Sequence, residues 1–239
     1  MRRMMMIGAV VMAVATVGAQ TPQIQNAQVK PQAVTSLARD VAALASQATT
    51  TPRWVAWQVP MIDGERNNCC YYSDDYNTGG IRGCRMEPQT GDGQYKPPQI
   101  ANPTGPVRLE AGTQVTIFVR LLDKRIERLR ALTDDCPVDA GGMDLHWLTG
   151  VSGADSVAWL KDRAADEKMD VDVKSKISSA AVRAIALHRD PSAVTTLIEF
   201  ARSTPQTTTA TSVRREAMTG LGQSRDPRAI QFLQSIITK

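Results

Sequence analysis

The C-terminal part of the chain repeats itself, and this repeat constrains the fold more than any other feature of the sequence. The tripeptide Arg189-Asp190-Pro191 recurs as Arg225-Asp226-Pro227, an offset of 36 residues (225 minus 189). At this offset apolar residues fall on apolar residues. The matched pairs are Ile177 with Val213, Ala181 with Ala217, Ile185 with Leu221, Ala193 with Ala229, Val194 with Ile230 and Leu197 with Leu233. A period of about 20–50 residues with matched apolar positions indicates stacked helical units.

Each repeat unit predicts two helices. The first helices span about 174–188 and 212–222, and the second span about 191–201 and 227–237, each beginning with a proline that suits the first helical position. One earlier helix is expected over 155–165. About two units are few for an array whose members bury their faces on one another. We therefore expect the array to pack on the preceding part of the chain.

The segment VRREAMTGLGQSRDPRAIQFL, residues 213–233, resembles the short HEAT repeats once described as phycobilisome-lyase-like. The resemblance covers about residues 153–239 and implies an α-solenoid of about two repeats that binds proteins and catalyses nothing. Arg214 matches an Arg that HEAT helices often carry, whereas TTTATS over 207–212 replaces the Asp that usually precedes such a helix. The whole layout is similar to exported bacterial HEAT-repeat proteins, which implies no particular activity.

The N-terminus has the three-part layout of a secretory signal peptide. Arg2 and Arg3 precede an apolar run over 4–17, and Val17-Gly18-Ala19 offers small residues for cleavage after Ala19. We therefore expect a periplasmic or secreted protein without a membrane span after cleavage; the alternative is an uncleaved anchor. Removal of two Arg lowers the net charge from +4 to +2, since 26 basic residues then face 24 acidic ones. The charge balance thus gives no reason to expect a nucleic-acid partner.

The sequence as a whole predicts an α+β protein. The predicted divisions are a signal peptide over 1–19, a flexible leader over 20–31, a disulfide-tied antiparallel α+β domain over 32–150 and HEAT-like repeats over 151–239. Apolar spacing indicates a helix over 32–48 and a strand over 53–60. Alternating runs around Asp123-Lys124 predict an antiparallel hairpin, with a helix over 125–132 as the alternative. The loop-rich stretch 61–106 makes sense if disulfides hold it.

Four cysteines lie after the predicted signal peptide: Cys69, Cys70, Cys84 and Cys136. An even number in an exported protein predicts two disulfides. A bridge between the neighbours Cys69 and Cys70 is discounted because it is strained and rare, and the other two pairings stay open. The C-x-x-C spacing typical of a redox-active pair is absent. Zinc ligation would want two spaced cysteine pairs or nearby histidines, so the pattern favours structural disulfides.

Motifs that carry catalysis are absent from the sequence. G-x-x-x-x-G-K-[ST], H-E-x-x-H and G-x-S-x-G do not occur. A calcium loop begun at Asp74 or Asp75 would need Glu at its twelfth position, which holds Arg85 or Met86. His188 is expected to cap the end of a helix, where the helix dipole favours a cation. We therefore predict no enzyme activity, no cofactor and no metal.

The leading functional prediction is an exported adaptor or scaffold that holds another envelope or secreted protein or peptide on its solenoid surface. The candidate contact residues lie off the buried stripes of the repeat helices: Ser179, Arg183, Arg215 and Thr219. A thiol-redox or metal-dependent envelope enzyme, with its activity before the repeats, is the alternative. A third hypothesis is an anionic polymer bound by arginines of the hairpin: Arg125, Arg128 and Arg130.

Overall fold

A computed structural model of the chain describes residues 24–64, 68–72, 81–87, 112–166, 171–203 and 206–238. The predicted signal peptide, the start of the leader and much of the stretch 61–106 lie outside the described residues. The strands are β1 (Ile24–Gln25), β2 (Gln28–Ala33), β3 (Arg53–Pro60), β4 (Tyr71–Tyr72), β5 (Ile81–Arg82), β6 (Cys84–Arg85), β7 (Gln114–Leu122), β8 (Arg125–Thr133), β9 (Val138–Asp139) and β10 (Asp144–Thr149). The helices are α1 (Leu37–Ser46), α2 (Gly153–Ala165), α3 (Val171–Ile185), α4 (Pro191–Arg202), α5 (Thr208–Gly222) and α6 (Pro227–Ile237).

The central sheet has five strands in the order β2-β10-β3-β7-β8. β3 pairs with β7 and β7 with β8 in antiparallel fashion, whereas β10 runs parallel to both β2 and β3. The prediction of an antiparallel domain is therefore wrong for half of the sheet. Parallel neighbours need long connections. Here α1 crosses from β2 to β3, and β10 returns much later in the chain to lie between them.

The predicted hairpin is confirmed. Asp123 and Lys124 join β7 to β8 with φ angles of 48° and 60°, the left-handed pair that a type I′ turn requires. This turn follows the right-handed twist of the strands on either side. Residues 125–132 lie in strand β8, so the alternative helix over these residues is wrong.

The segment predicted as a flexible leader forms two strands within its described residues. β1 pairs with β9, and β2 pairs with β10 along the edge of the central sheet. The prediction failed because β2 is mostly exposed and has no apolar alternation, so only its backbone pairing and the Lys30–Asp144 ion pair mark it as a strand. Pro31 is compatible with this position because an edge strand has an N–H side without a neighbour. The following helix begins at Leu37.

One face of the central sheet is covered by the disulfide-tied layer, which we define as β1, β6, β9 and the chain around Cys69 and Cys70. Its strands are only two residues long and form a parallel sheet in the order β1-β9-β6. Disulfides join Cys69 to Cys136 and Cys70 to Cys84, with Cα–Cα distances of 5.3 and 4.9 Å. The predicted pair of disulfides is confirmed, and the structure selects one of the two pairings that the sequence left open.

The helices form two rows, with α3 and α5 in one and α2, α4 and α6 in the other. Asp190 and Asp226 occupy equivalent positions in the two repeats. Their carboxylates accept hydrogen bonds from the backbone N–H groups of Ser192 (2.9 Å) and Arg228 (2.8 Å), one residue after the proline that begins each helix. The Arg-Asp-Pro repeat in the sequence is therefore a repeated helix start.

The second face of the central sheet shares one apolar core with the helices. Val55, Trp57 and Ile117 are fully buried in this core together with Leu160 and Ile185 of the repeats. The Trp57 and Trp159 rings meet edge to face with centroids 5.2 Å apart. The expectation that the helices pack on the preceding part of the chain is therefore confirmed, and the sheet covers the first helices of the array.

Candidate interaction face on the repeats

The predicted contact residues lie on the two neighbouring helices α3 and α5. Arg183, Arg215 and Thr219 are exposed, and Ser179 is half-buried. Because α3 packs against α5 and Arg183 binds Glu216 across the pair, these four residues belong to one surface, which we call the α3–α5 face. The residues opposite them on each helix, among them Ala181 and Ala217, are fully buried. Helical periodicity therefore places Arg183, Arg215 and Thr219 outward, with Ser179 at the edge of the buried side.

The α3–α5 face is held in register by an ion pair between its two helices. Arg183 Nη1 lies 3.1 Å from Glu216 Oε1, and the carboxylate is the more buried partner. Thr219 Oγ1 donates a hydrogen bond of 3.0 Å to the carbonyl oxygen of Arg215. Glu216 was not among the predicted residues, although its place directly after Arg215 would have put it beside the same stripe.

The α3–α5 face is positively charged. Lys176, Arg183 and Arg215 are exposed cations on these two helices, and Arg183 forms an ion pair with Glu216. Within the part of the chain that the structure describes, the Arg215 guanidinium has no hydrogen-bond or ion-pair partner. Arginine offers a planar fork of donors that matches a carboxylate. The face can therefore hold an acidic side chain.

In the other row, charged side chains serve contacts between repeats. The Arg228 guanidinium binds Asp226 and also reaches back to α4, donating to Thr195 Oγ1 at 3.2 Å and to the Pro191 carbonyl at 3.1 Å. The hydrogen bond from Arg228 holds the pKa of Asp226 below its usual value. Lys161 of α2 forms an ion pair with Glu199 of α4. These groups are already engaged within the protein.

Arg214, the residue that matches the HEAT pattern, is used for packing. Its Nη1 donates a hydrogen bond of 2.8 Å to the carbonyl of Ser203 at the end of α4. With no Asp before α5, the guanidinium caps the neighbouring helix. Gly220 brings α5 close to the chain that follows α3, since a Cβ there would lie 2.8 Å from Ala186 Cβ. A glycine at this position therefore permits a close approach between the repeats.

The arginines proposed for an anionic polymer do not form one exposed set. Arg125 and Arg128 are exposed. Arg130 instead turns toward the disulfide-tied layer, where its Nη1 lies 3.1 Å from Cys84 Sγ and 3.3 Å from Cys70 Sγ. The hypothesis that Arg130 faces solvent with the other two is therefore wrong. Arg128 and Arg130 share one face of β8, and the layer covers that face at Arg130 but leaves it open at Arg128.

His188 lies inside the protein within a chain of hydrogen bonds. Trp57 Nε1 donates to Ser156 Oγ, Ser156 Oγ lies 2.8 Å from His188 Nε2, and His188 Nδ1 donates to the Ala184 carbonyl. Burial lowers the pKa of His188 to about 4. The ring caps the end of α3 as expected, but it is neutral and the prediction of a cation is wrong. Ser156 has no exposed surface, so this Ser–His pair cannot reach a substrate.

No group of three or more histidine, cysteine or carboxylate side chains among the described residues is placed to hold a metal ion. Within the same ranges, no helix is both long enough and apolar enough to cross a bilayer.

Helices α3 to α6 form two successive pairs with equivalent helix starts, and this arrangement defines a short α-solenoid. Residues 169–239 match the HEAT repeats family. The predicted repeats are therefore confirmed over this range, and HEAT repeats commonly mediate binding between proteins. No curated protein and no solved structure matches the chain.

Proposed function

We propose that the protein is an exported adaptor whose α3–α5 face has a non-enzymatic role and binds another envelope or secreted protein or peptide. The observation that carries the proposal is the pair of exposed arginines, Arg183 and Arg215, on neighbouring helices of a region that matches HEAT repeats. Export is supported by the signal-peptide pattern over 1–19 and by two disulfides, since disulfides persist in oxidising compartments.

The α3–α5 face favours a partner with an acidic segment. Arg183 and Arg215 stand on helices whose buried sides are fixed in the common core, so ordering them costs less than ordering arginines on a loop. Glu216 fixes the position of Arg183 and leaves Arg215 to bind a carboxylate of the partner. Arginine is one of the residue types that most often dominate binding energy at interfaces.

The proposal is tested by capture from envelope extract with the full chain after residue 19 as bait. Every protein retained by the wild-type bait is then tested for retention by the double variant Arg183→Glu/Arg215→Glu. We expect the affinity for the true partner to fall about tenfold or more. A truncated bait ending near residue 150 is unsuitable, because removal of the helices exposes the core side of Val55 and Trp57.

The control variant carries the same change of charge outside the repeats, Arg125→Glu/Arg128→Glu on β8. It should retain the partner fully, with a thermal melt close to that of wild type for both variants. Equal retention of the partner by all three baits would contradict the proposed face. Loss of binding in the β8 variant alone, with sensitivity to modest salt, would support the anionic-polymer hypothesis instead.

A further inference from the structure

The Cys70–Cys84 disulfide has a chemical setting that the other disulfide lacks. A single guanidinium nitrogen, Arg130 Nη1, lies 3.3 Å from Cys70 Sγ and 3.1 Å from Cys84 Sγ. The same nitrogen donates to the carbonyl of Arg85 at 3.4 Å, which fixes the guanidinium beside both sulfurs. Cys84 is fully buried, whereas Cys70 is half-buried. Cys70 is therefore the more exposed cysteine of the pair, and Cys84 is the one sheltered beside a cation. The Cys69–Cys136 pair has the same division of exposure, so the guanidinium is what distinguishes the two disulfides.

The Cys69–Cys136 disulfide has the opposite surroundings on its buried side. Cys136 Sγ lies 3.7 Å from the carbonyl oxygen of Pro137, a group with partial negative charge. A thiolate formed there would be repelled by the carbonyl, whereas a thiolate on Cys84 would be stabilised by the guanidinium. The two disulfides therefore differ in the group next to the sulfur that would leave as a thiolate. Cys84 lies beside a guanidinium, and Cys136 lies beside a carbonyl oxygen.

We propose that Cys70–Cys84 is a thiol–disulfide exchange site whose reactant is a dithiol, and that Cys69–Cys136 is structural. A thiolate of the dithiol attacks Cys70 Sγ and forms a mixed disulfide. The Cys70–Cys84 bond breaks, and its electron pair stays on Cys84 Sγ beside Arg130. Exchange is faster when the leaving thiolate is better stabilised. Arg130 is therefore a positioning residue for the leaving group.

The exchange is completed by the second sulfur of the reactant. Its thiol loses a proton to solvent and attacks the mixed disulfide, and Cys70 leaves as a thiolate that takes up a proton. The dithiol is oxidised to a disulfide, while the Cys70–Cys84 pair gains two electrons and two protons in its reduced, neutral form. A more oxidising disulfide restores the pair by the reverse exchange. This chemistry is separate from the α3–α5 face and does not depend on it.

The order in which the two disulfides open in the wild-type protein is the first test. The folded chain after residue 19 is exposed to increasing dithiothreitol, quenched by alkylation and mapped by mass spectrometry. We expect alkylation of Cys70 and Cys84 at concentrations at which Cys69 and Cys136 stay bonded. With glutathione as a monothiol, the adduct should lie on Cys70. Simultaneous opening, earlier opening of Cys69–Cys136, or an adduct on Cys84 would overturn the proposal.

The role of Arg130 is tested by substitution. Arg130→Gln should slow the opening of Cys70–Cys84 by dithiothreitol about tenfold, and Arg130→Lys should recover part of the rate because it keeps a cation. Arg128→Gln, a neighbour on the same strand with an exposed side chain, is the matched control and should react like wild type. An unchanged or faster rate in a folded Arg130→Gln protein would refute the assignment. If that variant does not fold, the opening rate of Arg130→Lys and the order in which the two wild-type disulfides open still test the proposal.

Discussion

The two faces of the central sheet are covered in different ways. On one face, long helices bury apolar side chains such as Val55, Trp57 and Ile117, with one short chain of neutral hydrogen bonds among them. On the other face, the covering strands are two residues long, and the contacts include disulfides and a charged network around Arg120. The difference follows from size, because two-residue strands bury little apolar surface of their own.

The charged network on the disulfide side joins the sheet to the chain after β6. Arg120 of β7 binds Glu87 through both Nε and Nη2, at 2.7 and 2.6 Å, and also contacts Glu127. Trp54 Nε1 donates to the same Glu87 at 2.7 Å. On this side, covalent and ionic links thus supplement a small apolar cluster that includes Trp54 and Phe118. Each kind of contact gives a separate test of the comparison.

The largest expected effect is the loss of the longer disulfide. The double variant Cys69→Ala/Cys136→Ala should lower the free energy of unfolding by about 4 kcal/mol, because the bridge spans 67 residues. The matched variant Cys70→Ala/Cys84→Ala, whose bridge spans 14 residues, should lose about 3 kcal/mol. Urea unfolding of both variants measures the difference.

Amide hydrogen exchange shows which part of the protein loses stability in these variants. The Ala140 N–H, which donates to Gln25 in the disulfide-tied layer, should exchange much faster after loss of Cys69–Cys136, whereas amides in α3 should change less. An equal increase in amide exchange rates in the layer and in α3 would show that the two sides of the sheet unfold as one unit. The two faces would then not be stabilised separately.

The sequence could predict the helix side much better than the disulfide side. Helical repeats depend on local spacing, so their starts at Pro191 and Pro227 and the outward direction of Arg183 and Arg215 follow from periodicity. Two-residue strands such as β1 and β9 have no detectable pattern, and their pairing joins residues that are far apart in the chain. Only the three-dimensional structure brings them together.

The same limit applied to the candidate sites. The setting of Cys70–Cys84 depends on strand register, which brings Arg130 from a distant part of the chain to both sulfurs. The sequence left the Cys70–Cys84 pairing open, but it could not indicate that Arg130 lies beside this disulfide. His188 shows the reverse error, because its place at a helix end suggested a charged cap, whereas tertiary packing buries it and keeps it neutral.

A second prediction tests the ionic contacts on the disulfide side. Arg120→Met removes the guanidinium and leaves the Glu87 carboxylate, whose side chain is 9% exposed, with Trp54 as its remaining described partner. We expect a loss of about 3 kcal/mol in urea unfolding, because an unpaired buried charge is costly. The double variant Arg120→Met/Glu87→Gln should regain part of this loss.

The control for this prediction is Arg128→Met, which lies directly opposite Arg120 on β8 but is exposed. It should change stability by no more than about 0.5 kcal/mol. A loss below about 1 kcal/mol for Arg120→Met would mean that the network contributes little beyond what packing supplies.

The last effect is expected on the helix side, and it appears only on acidification. The pKa of His188 is about 4 in the folded protein, against 6.5 ordinarily, because burial disfavours the charged ring. Between these values the unfolded chain binds more protons than the folded one, so stability rises with pH. The contribution is fully present above about pH 6.5 and is lost progressively toward pH 4, by roughly 3 kcal/mol at most.

Urea unfolding at several pH values between 7 and 4 measures this contribution, with His188→Gln as the variant that cannot titrate. Its stability should fall less steeply with acid than that of wild type. His146 also has a lowered pKa, caused first by burial and then by Arg53 and Lys30, so His146→Gln is the matched control. Identical acid slopes for wild type and His188→Gln would mean that the Trp57–Ser156–His188 chain tolerates a charge. In that case the helix side would be less dependent on neutral packing than its buried geometry indicates.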